Sequence, residues 1–159
     1  MINDIIFKEK YNLYANDLYI ISYGYLHNKY DAEDIVQDVF LKYLANKRVF
    51  TDLDHEKYWL IRVTINLCKD FLKKKKRVNI DVEYVKNIAN SNDENQILKY
   101  EINKLPDIYK DVIVLYYYKN YPTKDIANML KTSDSNVRKR LERARQILKE
   151  RMIDYENRW

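Results

Sequence analysis

The sequence predicts an all-helical protein, and three observations carry that prediction. It holds one glycine and two prolines in 159 residues, so the tight turns that hairpins and phosphate-cradling loops require have almost nothing to build them. Apolar residues recur three and four positions apart through much of the chain, the period of a buried helix face. Hydrophobic residues make up 47% and charged residues 33%, a balance suited to a soluble folded chain and too polar for a bilayer span. The length accommodates one ordinary domain or two small ones.

Tyr14, Leu18, Ile21 and Tyr25 predict an amphipathic first helix from about Phe7 to Asn28. Asp31 reads as the N-cap of a second helix, with Glu33 and Asp34 in its first turn and Ile35, Val36, Val39, Phe40 and Tyr43 as its apolar stripe. Residues 46–57 break the periodicity and read as a loop. A long helix then runs from Tyr58 to about Lys76, with Arg62, Asn66, Lys69 and Lys73 stepping along one polar face and a basic run, Lys73 to Arg77, at its end. Residues 78–95, finishing in Asn90-Ser91-Asn92-Asp93, are the best candidate for a flexible linker. This gives two small helical domains, residues 1–77 and 96–159. In the second, a helix from about Asp93 to Lys104 precedes one that starts at Pro106 and runs to about Tyr118. A short helix from Lys124 to Leu130 capped by Thr123 and a long one from Asp134 to Met152 follow.

That last pair has helix-turn-helix logic. Ile126, Leu130, Val137 and Leu141 can form the shared core, and Ala127 is small enough for the helices to cross closely. With Val137, Leu141, Ala144 and Leu148 pointing inward, Ser135, Arg138, Lys139, Glu142 and Arg143 point outward, where a recognition helix meets a DNA groove. Arg and Lys there can bond guanine edges or phosphates, Ser135 and Asn136 can hold a phosphate at the helix N-terminus, and Glu142 can accept from cytosine. The surplus of cations on this helix lacks intrahelical pairing, which favours a nucleic-acid partner over a merely solvated face. Lys131 stands in the turn where many such motifs carry glycine, so it must bear any left-handed conformation itself.

The net charge of +5 also fits a polyanion, although a Lys-, Asn-, Ile- and Tyr-rich chain follows equally from an A/T-rich genome. No catalytic or metal site is expected: His27, His55 and Cys68 lie far apart without ligand spacing, and the lone Cys68 reads as core. No cofactor is implied. No signal-like or membrane-spanning run appears, so a cytoplasmic protein is expected.

A helix-turn-helix alone would equally suit a dimeric regulator, and the N-terminal half decides. Asp31-Ala-Glu-Asp-Ile-Val-Gln-Asp-Val-Phe-Leu-Lys, followed after a loop by Tyr58-Trp-Leu-Ile-Arg-Val-Thr-Ile-Asn-Leu-Cys-Lys-Asp, resembles the second domain of the extracytoplasmic-function sigma factors of bacterial RNA polymerase. Leu105-Pro-Asp-Ile-Tyr-Lys-Asp-Val-Ile-Val-Leu, Asp125-Ile-Ala and Val137-Arg-Lys-Arg-Leu-Glu-Arg-Ala-Arg-Gln-Ile-Leu resemble the fourth domain of the same family, in the same order. The resemblance implies a non-enzymatic factor that brings core polymerase to promoters and assists their melting. It implies that Asp34, Gln37, Asp38 and Leu41 bind the clamp helices of the largest polymerase subunit, a surface that a solvated acidic first turn would also explain. It implies that Arg62, Asn66, Lys69 and Lys73 hold the melted minus-ten element, with residues 46–54 forming the pocket for an extruded base. Ser135, Asn136, Arg138, Lys139, Glu142 and Arg143 would then read the minus-thirty-five element. Phe50 and Trp59, beside Leu60 and Val63, read as core rather than as stacking platforms. An anti-sigma factor is a further partner that the family allows.

Overall fold

In a computed structural model, which describes residues 3–78 and 93–157, helix α1 (Asp4–Leu26) opens behind Asn3, whose side chain accepts the Ile6 N–H at 2.9 Å. It closes at His27, which is left-handed (φ 50°) and donates its N–H to the Tyr23 carbonyl. Helix α2 (Lys29–Ala45) is capped by Asn28 and not by Asp31: the Asn28 side chain accepts the Asp31 N–H at 3.0 Å. Asp31 sits inside the first turn, where its charge still complements the exposed N–H groups.

Helix α3 (Leu53–Val78) begins five residues before the expected Tyr58. Asp52 caps it, accepting the His55 N–H at 2.7 Å. Glu56 is buried in its first turn, held by the Tyr43 hydroxyl at 3.0 Å and the Lys10 ammonium at 2.9 Å. A buried charge satisfied by two other helices leaves no apolar period to read, so the loop shrinks to 46–52.

Helix α4 (Glu94–Lys104) opens behind Asp93, and the expected linker 78–95 lies mostly outside the described residues. Pro106 is the N-cap of α5 (Asp107–Ile113), which widens into a π-helical turn over Val114–Tyr118 instead of running on as one α-helix. Helix α6 (Thr123–Leu130) follows Pro122, so Thr123 is its first helical residue and no side chain caps that end. Ser133, through its Oγ, caps α7 (Asp134–Glu156), which runs past the expected end at Met152.

Helices α1–α3 pack on one another, and α4, α5 and α6 pack around α7. One continuous set of buried side chains links the two groups, from Tyr14 through Tyr25, Val114 and Met129 to Ala144. The join is made where α1 runs along the π turn and α3 meets α6. Gly24 allows the first approach: a Cβ there would lie 2.9 Å from Val114 Cγ1 and 3.2 Å from the Tyr118 ring. Cys68 is fully buried, and burial raises its thiol to about 12, so it is packing and not a nucleophile.

Candidate nucleic-acid and polymerase interfaces

Three surfaces carry the residues singled out in the sequence. The first is the helix-turn-helix of α6 and α7. Ile126, Ala127, Val137, Leu141 and Ala144 are buried between the helices and their neighbours, while Leu130 and Leu148 are only half-buried. The turn is a Schellman motif: Lys131 is left-handed (φ 55°) and the Thr132 N–H reaches back to the Ala127 carbonyl at 2.9 Å. With that core fixed, Ser135, Asn136, Arg138, Lys139, Glu142 and Arg143 are all exposed. Their partners are local: Asn136 Nδ2 donates to Thr132 Oγ1 at 3.1 Å, Arg138 Nε pairs with Asp134 at 3.2 Å, and Arg143 donates to Gln146 at 3.2 Å. Exposed pairs of this kind are worth a few tenths of a kcal/mol to about 1 kcal/mol, so they exchange readily for phosphates or base edges.

The second surface lies on α2. Ile35, Val36, Val39 and Phe40 face the core, and Asp34, Gln37, Asp38 and Leu41 are exposed on the opposite side. Leu44, 46% exposed, extends the same face beyond the 64% exposed Leu41. Leu44 is not among the residues singled out from the sequence.

The third surface is the polar face of α3. Arg62, Asn66 and Lys69 line a small cleft of about 140 Å³ whose other wall is Asp111, Met129 and Leu130. Arg62 donates to the Met129 carbonyl at 3.4 Å, and Lys69 pairs with Asp111 at 2.8 Å. Asp111 also accepts from the Tyr25 hydroxyl. Asn66 and Lys73 are exposed. Beside this face the loop after α2 encloses an open cleft of about 710 Å³ lined by residues 43–50. Phe50 is half-buried against Tyr43, His55 and Trp59, with its ring centroid 5.6 Å from that of Trp59. These two aromatics brace the loop. Arg48 is exposed there and, after burial, its charge is what lowers the Arg62 guanidinium below its ordinary pKa.

Comparison with known proteins decides between a sigma factor and a dimeric regulator. Residues 11–78 match the Sigma-70 region 2 family and residues 95–148 match Sigma-70, region 4. The ECF RNA polymerase sigma factor SigM of Bacillus subtilis is 30% identical over 152 residues, which cover 89% of this chain and 91% of SigM. The chain belongs to the extracytoplasmic-function sigma factors. SigW of the same organism is 28% identical, over 93% of this chain and 89% of its own length. The sigma factor RpoE of Bartonella quintana, solved in complex with the anti-sigma factor NepR, shares the fold with a TM-score of 0.62 at 21% identity, covering 92% of this chain and 96% of RpoE.

Sigma factors bind core RNA polymerase and promoter DNA to start transcription at particular promoters, and this chain has both conserved regions of the family in order. The region 2 match contains the α2 and α3 faces, and the region 4 match contains Ser135, Asn136, Arg138, Lys139, Glu142 and Arg143 of α7. Among the described residues of this sigma factor no cluster of three or more potential metal ligands occurs and no helix is long and apolar enough to cross a membrane. Asp111, which the sequence reading did not single out, meets α3 from 42 residues away, a distance at which no local pattern signals a contact.

Proposed function

We propose that this sigma factor divides its work among the three surfaces, each by a different chemistry. Residues 1–77 form the domain that binds polymerase and the minus-ten element, residues 96–159 form the minus-thirty-five domain, and 78–95 join them. Asp34, Gln37, Asp38 and Leu41, with Leu44, grip the clamp helices of the largest polymerase subunit. Exposed leucines ringed by acids in a protein of net charge +5 suit a protein partner, because carboxylates desolvated against phosphates would repel them. Arg62, Asn66, Lys69 and Lys73 hold the separated minus-ten strand, and the cleft over residues 43–50 receives an extruded base, whose lost stacking is offset by contacts there. Arg48, at the lip of that cleft, adds a phosphate contact. Ser135, Asn136, Arg138, Lys139, Glu142 and Arg143 read the minus-thirty-five element in the major groove. The protein is not an enzyme, needs no cofactor and acts in the cytoplasm, with an anti-sigma factor as a further partner able to cover these faces.

The observation that carries this reading is the sorting of charge by surface: an exposed acidic and apolar face on α2, and an exposed, cation-rich reading face on α7. The test is run-off transcription on genomic fragments with purified core polymerase and this protein. Discrete new transcripts are expected. Their absence, together with tight binding of the chain alone to a two-fold symmetric operator, would overturn the proposal.

A further inference from the structure

Arg145 lies outside the six positions assigned to base reading, yet it shares their side of α7. It follows Arg138 by seven residues and Glu142 by three, so the helix period brings the three side chains onto one stripe. Arg145 is exposed. Arg138 pairs with Asp134, whereas among the described residues no carboxylate lies within ion-pair distance of Arg145. Two tyrosines hold it instead. Its Nε donates to the Tyr117 hydroxyl at 2.6 Å, and its guanidinium carbon lies 5.5 Å from the centres of both the Tyr116 and the Tyr117 rings. The two rings meet edge to face, 5.0 Å apart at 78°, and form a corner in which the guanidinium sits.

The π turn builds that corner. Consecutive side chains of an α-helix point about 100° apart, and a turn closed from i to i+5 reduces that angle. Within Val114–Tyr118, Tyr116 and Tyr117 thereby turn toward one arginine that lies 28 positions beyond Tyr117. Such turns are rare and occur frequently at functional sites.

Position and chemistry together point to a ligand class. A recognition helix reads base edges with its N-terminal residues. Arg145 comes ten residues after Ser135, about 15 Å farther along the axis at about 1.5 Å per residue, which exceeds the major groove's width of about 12 Å. A cation there meets the sugar-phosphate rim and not a base. Its guanidinium spends one N–H on Tyr117 and keeps the other donors of a planar fork that matches phosphate. We propose that Arg145, held by Tyr116 and Tyr117, is a preformed phosphate clamp: it takes a backbone phosphate of the minus-thirty-five duplex without reading sequence, and so fixes the register in which Arg138, Glu142 and Arg143 meet the bases. Tyr117 is a positioning residue, which spares the arginine the ordering cost that a free side chain meets on binding. The proposal rests on the assignment of α7 to the minus-thirty-five element made above.

Holoenzyme is assembled from core polymerase and the full-length chain as wild type, Arg145→Gln, Arg145→Lys, Tyr117→Phe, Arg143→Ala or Arg151→Gln. Binding to a promoter found by run-off transcription is measured by gel shift across a range of salt concentrations, with circular dichroism and urea unfolding to check each fold. A single phosphate contact contributes about 0.9 to the slope of log K against log salt. Arg145→Gln should flatten the slope by about that amount, so that its defect is about three- to fourfold larger at about 50 mM salt than at about 200 mM. The defect should be the same when the minus-thirty-five sequence is altered. Arg145→Lys should keep the slope, since the charge remains. Tyr117→Phe should also keep it and weaken binding about two- to fivefold at every salt concentration. Arg151→Gln removes the same charge from an exposed position off this stripe and should leave the slope as it is.

A wild-type slope in Arg145→Gln, or a flattening no greater than that of Arg151→Gln, overturns the clamp. So does unaltered affinity in Tyr117→Phe, a defect that varies with the minus-thirty-five sequence, or a loss of affinity for core polymerase in place of DNA. Arg143→Ala separates the clamp from the reading beneath it. If Arg143→Ala weakens promoter binding and Arg145→Gln does not, the clamp alone falls; if neither weakens it, the assignment of α7 falls with it.

Discussion

Replacing Lys131 by glycine should stabilise the protein, and the size of the gain follows from one dihedral angle. Lys131 adopts φ 55° and ψ 48° to let the Thr132 N–H return to the Ala127 carbonyl. A side chain with a Cβ pays about 1–2 kcal/mol in that region, which glycine does not. Glycine also frees the unfolded chain, at a cost of about 0.4–1 kcal/mol. Lys131 is exposed, so no packing is lost, and the balance is a gain of about 0.5–1 kcal/mol. In a protein of this size that raises the Tm by about 1–4 °C. Urea and thermal unfolding of Lys131→Gly, Lys131→Ala and Lys131→Val in the absence of DNA give the assay. Alanine should fall near wild type, because its Cβ pays the same penalty, and valine should fall below it, since β-branching is least tolerated there. A glycine variant no more stable than wild type, or a valine variant equal to it, would refute the claim that the turn geometry sets the cost.

Other consequences follow from the surfaces and the buried charges. Arg143→Ala should weaken holoenzyme binding at the cognate promoter by about 1–3 kcal/mol and leave affinity for core polymerase unchanged; equal weakening on unrelated DNA, seen in competition gel shifts, would mean that Arg143 contacts only the backbone. Because Asp34 and Gln37 are exposed, changing both to alanine should abolish pull-down of core polymerase while moving the urea midpoint little; retention of binding would remove this face from the polymerase contact. Burial lowers the Lys110 ammonium to about 8, against the help of Asp107, Cys68 and Asp111. The unfolded chain therefore binds the extra proton between about pH 8 and the ordinary lysine range, so this residue's penalty is full below pH 8 and fades as pH rises above it. Lys110→Met should be no less stable than wild type at pH 7, and wild type should gain on it by pH 10; parallel pH profiles would show that Lys110 carries no such penalty.

What could be read from sequence was whatever repeats with the helix period. Val137, Leu141 and Ala144 step inward along α7 and are buried, so the outward set on that helix follows by elimination. The same reasoning separates Ile35, Val36, Val39 and Phe40 from Asp34, Gln37, Asp38 and Leu41 on α2. Capping was less legible: Asn28, three residues before Asp31, supplies the side chain that caps α2, and α6 opens behind Pro122 with Thr123 already inside the helix and no side-chain cap. The start of α3 was hidden by Glu56, a charge whose burial depends on Tyr43 and Lys10 in two other helices. The meeting of the two halves was invisible altogether. Besides the packing at Gly24 and Val114, it rests on Tyr25, Lys69 and Asp111, polar residues brought together from 42 and 86 positions apart, and a hydrophobic period carries no information about such a contact.

That blind spot falls on the part of the molecule that differs most from a list of its binding surfaces. Read helix by helix, α2, α3 and α7 present three independent faces, and nothing orders their use. In the folded chain the α2 and α7 faces are open to solvent, while on α3 Asp111 and Met129 hold the two cations nearest the other half. A partner that binds α2 meets no competition from within the chain, whereas any anion approaching Arg62 and Lys69 must first displace a carbonyl and a carboxylate.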